Sequence, residues 1–451
     1  MKIIIVGCGK VGVTLADQLS RDGHELVVID RNPDRVDGIK DDIDVMGLVG
    51  NGASFTMLRE AGVKDAGLLI AVTGSDEQNL LCCLIAKRAG CSQAIARVRS
   101  PIYQDEIDYL KKELGLAMII NPEYETAQDI ARIFQFPSAI KIDTFMNGKV
   151  ELMHFRITAE SPLKGMQISG LREKYGSNVL VSAVTRGDEL YIPNGSFVLQ
   201  ENDRVSIMSK RHDAMEFFRK IGLMRNRIEN CMIGGGGKIP FYLTQSLLRA
   251  GIDVTIIEKD RDRCEELADQ LPDATIIHGD ATEERLLEEE GLPEAQGFAA
   301  LTGLDEENIL VSLYAKGVSS AKIITKVNRI NFASVIKGLD LDVVINPRMV
   351  AADRIIRCVR SLKNSENSNV ENLYRLENGK AEALEFLIKE KSAVTDRQLQ
   401  DLQIKPNTLI CSIARDGKIF IPSGQSEIKV GDSVVVVLAG YKVSDIREIL
   451  K

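Results

Sequence analysis

Short aliphatic runs alternate with helical patterns over the first 125 residues of the chain. The runs fall at residues 3–6, 26–29, 45–49, 68–72, 94–98 and 117–120. Strands that are apolar on both faces and separated by helices predict a parallel, doubly wound sheet, because such strands must be covered from both sides. The segment after the first run carries Val13, Leu15, Ala16 and Leu19 at near-helical spacing and is predicted to stop at Asp22-Gly23. Near Phe136-Pro137-Ser138 the pattern changes. The chain beyond this point reads as strands and turns bounded by Gly, Asn and Asp, with strands at 179–185, 190–192 and 204–208 and a turn at Arg186-Gly187-Asp188-Glu189.

The whole pattern then repeats. Gly7-Cys8-Gly9-Lys10-Val11-Gly12 and Asp30 return 228 residues later as Gly235-Gly236-Gly237-Lys238-Ile239-Pro240 and Glu258. Gly52-Ala53-Ser54 is answered by Asp280-Ala281-Thr282, and the stretch from Thr73 to Asn79 by that from Thr302 to Asn308. The second predicted helix ends at Ala250-Gly251. The smaller layout also recurs, with strands at 408–414, 419–421 and 433–438, and Ile192-Pro193-Asn194-Gly195 matched by Ile421-Pro422-Ser423-Gly424. A glycine motif alone is weak evidence, whereas its recurrence in a matching framework points to duplication of one unit. The predicted fold is α/β, with two doubly wound parallel-sheet Rossmann-type domains alternating with two smaller α+β domains. Their expected spans are 1–125, 138–222, 228–350 and 368–451, with linkers near 136–140, 224–230 and 361–369.

Composition narrows the function. No apolar run approaches the ~18 residues that span a bilayer, and Met1 leads directly into a strand without a secretory leader, so the chain is expected in the cytosol. A net charge of −8 argues against a general nucleic-acid binder. The eight cysteines lack paired Cys-x-x-Cys spacing and read as buried thiols of a reducing compartment, and the four scattered histidines predict no metal site.

The chemistry concentrates in the first glycine loop. It follows a strand, opens a helix and is followed by an acid about twenty residues on, the context in which the motif binds a dinucleotide. Gly7 permits the tight turn, Gly9 lets the backbone approach a pyrophosphate, and Gly12 allows close packing of helix and strand. Asp30 can accept from ribose hydroxyls and would repel a 2′-phosphate, which favours NAD(H) or an unmodified adenine nucleotide over NADP(H). Thr73 and Gly74 lie where the fourth strand ends, beside the ligand crevice of an open sheet. Asp76 is expected to cap the helix that comes next. Arg97 is chosen over Arg99 for phosphate contact because a basic residue recurs only at its counterpart, Lys326, whereas Arg99 is answered by Asn328. In the second loop Pro240 stands at the third glycine position; it is tolerated in a first helical turn but removes an amide and adds bulk, so ligand binding there stays open.

Together, Gly7-Cys8-Gly9-Lys10-Val11-Gly12, Asp30, the run Ala71 to Glu77, Ala96-Arg97-Val98-Arg99-Ser100 and Gly235-Gly236-Gly237-Lys238-Ile239 resemble the TrkA family over essentially the whole chain. The resemblance implies the cytosolic regulatory subunit of a Trk potassium-uptake system, each half a Rossmann-type RCK (KTN) domain followed by a TrkA C-terminal domain. It implies NAD(H) and ATP or ADP as ligands and a homo-oligomeric ring, a tetramer. The ring would sit peripherally on the cytosolic face of the plasma membrane, against a separate potassium-conducting subunit. Carried over, Gly7, Cys8, Gly9, Lys10 and Val11 surround the phosphates, Asp30 holds the ribose, and Thr73, Gly74 and Arg97 complete the site. The second copy offers Gly235, Gly236, Gly237, Lys238, Ile239 and Glu258. No catalytic residue is expected. The alternatives are an NAD-dependent oxidoreductase, or a nucleotide sensor serving a different transporter or channel.

Overall fold

The structure is a computed structural model. It describes the chain except residues 137–140, 147, 177, 224–227, 329–337, 340, 366–369 and 377–379, so much of each expected linker, and the expected domain starts at 138 and 368, lie outside the described residues. The described residues form two compact units. One joins Met1–Ala131 with Glu229–Val359, and the other joins Arg132–Ile228 with Arg360–Lys451.

In the first unit the chain runs β1 (Lys2–Val6), α1 (Lys10–Arg21), β2 (Glu25–Asp30), α2 (Pro33–Asp42), β3 (Met46–Val49), α3 (Phe55–Glu60), β4 (Leu68–Ala71), α4 (Asp76–Arg88), β5 (Gln93–Arg97), α5 (Ile107–Glu113), β6 (Met118–Ile120) and α6 (Pro122–Gln135). The strands pair in parallel in the order β3-β2-β1-β4-β5-β6. The order reverses between β1 and β4, and a crevice opens there at the carboxyl ends of the strands. Ile3, Ile4, Ile5 and Val6 of the central strand are all buried, as two covered faces require.

The second Rossmann-type domain repeats this as β12 (Asn230–Gly234), α9 (Lys238–Arg249), β13 (Asp253–Glu258), α10 (Arg261–Gln270), β14 (Thr275–His278), α11 (Glu284–Glu289), β15 (Gly297–Ala300), α12 (Asp305–Val318), β16 (Lys322–Lys326), β17 (Val343–Ile345) and α13 (Pro347–Ser365), in the equivalent strand order. Polar contacts clasp the two domains. Asn121 Nδ2 donates to Tyr242 Oη (3.0 Å), Gln128 Nε2 donates to Ser246 Oγ (2.8 Å), and Arg354 Nη2 lies 2.9 Å from a Glu125 carboxylate oxygen.

The second unit holds two antiparallel five-stranded sheets. The first comprises β7 (Lys141–Phe145), β8 (Val150–Arg156), β9 (Leu180–Arg186), β10 (Glu189–Tyr191) and β11 (Arg204–Ser209), with helices α7 (Gly170–Tyr175) and α8 (Arg211–Lys220). The second comprises β18 (Val370–Leu376), β19 (Ala381–Leu387), β20 (Thr408–Arg415), β21 (Lys418–Phe420) and β22 (Ser433–Ala439), with short 3-10 turns at Leu399–Asp401 and Ile446–Ile449. A shared core joins the sheets, with Phe145, Val150 and Leu152 from one packed with Tyr374, Cys411 and Val435 from the other. Each carries the same clasp. Arg186 grips buried Asp203 with Nε and Nη2, both at 2.8 Å, and Arg415 grips buried Asp432 at 2.7 Å. Two-pronged charge-assisted bonds of this kind fix the last strand of each sheet against its neighbour.

Candidate functional site: a nucleotide cleft at the first glycine loop

The strand-to-helix turn after β1 is built by three glycines with different tasks. Gly7 has φ +106°, and its N–H donates to the Ile29 carbonyl (2.8 Å), which anchors the turn to β2. A Cβ at Gly12 would stand 1.9 Å from the Gly7 carbonyl oxygen, so no side chain fits while α1 packs where it does. A Cβ at Gly9 would meet nothing within 4 Å, because Gly9 faces open space at the head of the helix. That open cradle is what a pyrophosphate needs, since first-turn amides have no partner within the helix and the helix dipole is positive there.

Asp30, at the end of β2, ties the loop down. Its Oδ2 accepts from the Cys8 N–H (2.7 Å) and its Oδ1 from the Asn32 N–H (2.9 Å). A carboxylate has about four acceptor positions, so two remain for ribose hydroxyls. Arg35 Nη1 stands 4.0 Å from Oδ2. On the other side of the crevice, buried Asn79 locks the end of β4: its Oδ1 accepts from the Thr73 N–H (2.8 Å) and hydroxyl (2.7 Å), and its Nδ2 donates to the Arg97 carbonyl (2.8 Å). The Arg97 guanidinium donates to the Thr73 carbonyl, and Arg99 Nη2 donates to the Gly74 carbonyl (2.9 Å). Burial and the neighbouring Arg99 hold the Arg97 pKa below that of an ordinary guanidinium.

These elements enclose a cavity of about 620 Å³, within the range of small-molecule clefts. Of the residues expected at the first site, Gly7, Gly9, Lys10, Val11, Asp30, Thr73, Gly74 and Arg97 line it. Cys8 and Gly12 do not. The Cys8 amide is committed to Asp30, and its buried thiol is pushed up to about 12 by burial and by the Asp30 charge, so it stays neutral. Gly12 serves the close packing instead. Asp76 is not the helix cap. Ser75 fills that role, its Oγ accepting from the Gln78 N–H, while Asp76 Oδ2 accepts from the Arg99 and Ser100 amides (2.9 and 2.8 Å) and braces the exit of β5. Residues that sequence reasoning passed over also line the cavity: Arg31, Asn32, Arg35 and Gln78 from the first half, and Asn328 and Arg348 from the second. Arg31 and Arg35 come so soon after Asp30 that their nearness to this carboxylate was a usable signal.

The second loop keeps the skeleton. Gly235 has φ +100° and donates to the Ile257 carbonyl (2.8 Å), and the Gly236 N–H donates to Glu258 Oε2 (2.5 Å). Buried Asn308 locks Thr302 as Asn79 locks Thr73. Gly235, Gly236, Gly237 and Glu258 line a cavity of about 340 Å³, together with Lys326; Lys238 and Ile239 lie outside that lining. Gly234 completes β12, so the extra glycine precedes the turn. Pro240 is buried in the first turn of α9.

Two parallel sheets in the 3-2-1-4-5-6 order, each with a glycine turn and a ribose-type acid, define a tandem Rossmann-type protein. Sequence profiles of the TrkA-N domain match residues 3–122 and 231–347, and those of the TrkA-C domain match 152–222 and 383–451. The chain belongs to the TrkA family. It is 31% identical over 451 residues to the Trk system potassium uptake protein TrkA homolog of Archaeoglobus fulgidus, covering 100% of both. Among solved structures, the GsuK channel bound to NAD shares the fold with a TM-score of 0.65 at 18% identity, over 97% of this chain and 76% of that one. GsuK bound to ADP does so at 0.52 and 16%, over 81% and 69%.

Proposed function

We propose that this chain is the cytosolic regulatory subunit of a potassium transporter, and that the cleft at Gly7–Gly12 is where an adenine nucleotide, NAD(H) or ATP and ADP, sets the state of a separate Trk-type membrane subunit. The cleft itself carries the reading, because an open glycine cradle, a ribose acid and a predominantly cationic lining fit a nucleoside with a phosphate chain. Gly9 and the first-turn amides of α1 would hold the pyrophosphate, Asp30 the ribose, and Lys10 and Arg97 would balance phosphate charge. The ligands named with the GsuK structures are of this chemical class. The bound nucleotide supplies binding energy and no reaction step. It changes transport only if it binds one conformation more tightly than another, since equal affinity for both shifts nothing.

The proposal includes a homo-oligomer, a tetramer, seated peripherally on the cytosolic face of the plasma membrane, with domains spanning 1–125, 138–222, 228–350 and 368–451. Among the described residues no helix is long and apolar enough to cross a membrane, so ion conduction is assigned to the partner. The test is potassium flux through vesicles carrying the membrane subunit, with and without this protein and each nucleotide. Nucleotide-dependent flux that needs the added protein supports the reading. Flux indifferent to the protein, or steady oxidation of NADH with a small metabolite, overturns it.

A further inference from the structure

Taken by itself, Asp30 opposes a phosphate on the ribose, because like charges repel. In the fold it does not act by itself. Its carboxylate is tied to the loop, one oxygen accepting from the Cys8 amide (2.7 Å) and the other from the Asn32 amide (2.9 Å). Two arginines from the turn into α2 line the cavity with it. Arg35 Nη1 is 4.0 Å from Asp30 Oδ2, and more than half of the Arg35 side chain is exposed. Arg31 directly follows Asp30 and is exposed, and among the described residues its side chain has no hydrogen-bond or ion-pair partner. A cation in the wall of a cleft that no structural bond engages is available to a ligand. Asp34, the other acid of this turn, stands outside the lining, and its amide donates to Asn32 Oδ1 to cap α2. Two guanidinium groups against one carboxylate leave this end of the cleft net positive. The second copy is built otherwise. Lys259 and Asp260 replace Arg31 and Asn32, Asp280 joins Glu258 in the lining, and Arg263, the counterpart of Arg35, is outside it and donates to the Gly236 carbonyl (2.7 Å).

We infer, resting on the nucleotide reading of this cleft, that Arg31 and Arg35 form a subsite for a phosphate on the adenosine ribose, so that the first site takes NADP(H) as well as NAD(H). An arginine beside the ribose acid is the usual means by which a Rossmann-type fold accommodates a 2′-phosphate. A guanidinium also presents paired N–H donors in the geometry that phosphate oxygens accept. Asp30 keeps acceptor positions for an unmodified ribose, so both dinucleotides share one cleft. The signal read there then includes the phosphorylated pool.

Calorimetric titration of the full chain with NADH and NADPH tests this. Wild-type protein should bind NADPH within about tenfold of NADH, and Arg31→Ala should lower the NADPH-to-NADH affinity ratio about tenfold. Arg31→Glu should lower the ratio further, and Arg31→Lys should restore most of it. Lys10→Ala, which removes a cation from the pyrophosphate end, should weaken both dinucleotides alike. Retained NADH binding shows that the variants are folded. Weaker NADPH binding by the wild type, including its absence in protein that binds ATP, overturns the inference and leaves the nucleotide reading intact. So does a ratio that is unchanged in Arg31→Ala, or one that falls as far in Lys10→Ala, which would assign the effect to net charge. Wild-type protein that binds none of NADH, NADPH, ATP and ADP fails the nucleotide reading itself.

Discussion

The two glycine loops share a backbone and differ in what surrounds it. In the first, Arg35 is more than half exposed and lines the cavity; its counterpart Arg263 turns inward, its Nε donating to the Gly236 carbonyl (2.7 Å) while Glu266 holds the same guanidinium. Gly52 and Gln78 of the first cavity become Asp280 and Glu307 in the second. The first lining carries Lys10, Arg31, Arg35, Arg97 and Arg348 against Asp30 and Glu123, whereas the second carries Lys259 and Lys326 against Glu258, Asp280 and Glu307. Duplication preserved the turn in both halves, but the lining is predominantly cationic only in the first. A fold-level motif does not by itself make a phosphate site, and the charge of the flanking side chains is where these two loops differ.

The largest test of this contrast is Gly12→Ala. Its Cβ would press on a backbone oxygen that cannot yield, and overpacking of this kind costs about 3 kcal/mol. Nucleotide binding should disappear and the denaturation midpoint should fall, while Pro240→Gly leaves nucleotide affinity of the first site unchanged. Equal losses from both substitutions would erase the distinction. Next is Asp30→Ala, which removes the acceptor of the Cys8 amide and of the ribose together; affinity should drop at least about tenfold, against no change at the first site for Glu258→Ala, read by calorimetry. A smaller effect, about threefold, is expected for Arg35→Ala, because an exposed cation is screened by solvent. Arg263→Ala should leave that affinity alone and instead speed amide exchange around 235–237. Smallest is the Cys8 thiol: with its pKa pushed up to about 12, only about one in ten thousand is thiolate at pH 8. Iodoacetamide should leave Cys8 unmodified in the folded protein, by mass spectrometry, and reactivity should rise only as pH climbs toward 12. Rapid labelling at pH 8 would show the loop to be open.

The Rossmann-type strands were legible because each is a short, largely apolar run, with central strands such as β1 and β4 buried on both faces; β1 through β6 fall within two residues of the predicted runs. The antiparallel sheets were read unevenly. Strands β9, β11, β20 and β22 follow simple apolar patterns, but β7, β8 and β19 place Asp143, Glu151, Glu382 and Glu385 in buried positions, which breaks the alternation by which a strand is recognised. Burial pushes the Glu151 carboxyl above the usual range, a cost that no sequence pattern announces. The glycine loop and its acid were readable from spacing. The roles of Asn79 and Asn308 were present in the repeat as matched residues yet had no visible purpose until β4 and β5, or β15 and β16, were brought side by side. Arg348 was invisible for a further reason: it reaches the first loop only through the docking of one repeat on the other.

The central claim is that an adenine nucleotide lodges in the first cleft and acts there as a signal. Calorimetric titration of ATP, ADP, NAD and NADH into wild-type, Asp30→Ala and Glu258→Ala protein, with recovery of the ligand afterwards, tests it most directly. Saturable binding in the wild type that survives Glu258→Ala, disappears in Asp30→Ala and returns the nucleotide chemically unchanged is the predicted result. Absence of saturable binding, undiminished binding in Asp30→Ala, or a ligand recovered as product would contradict it.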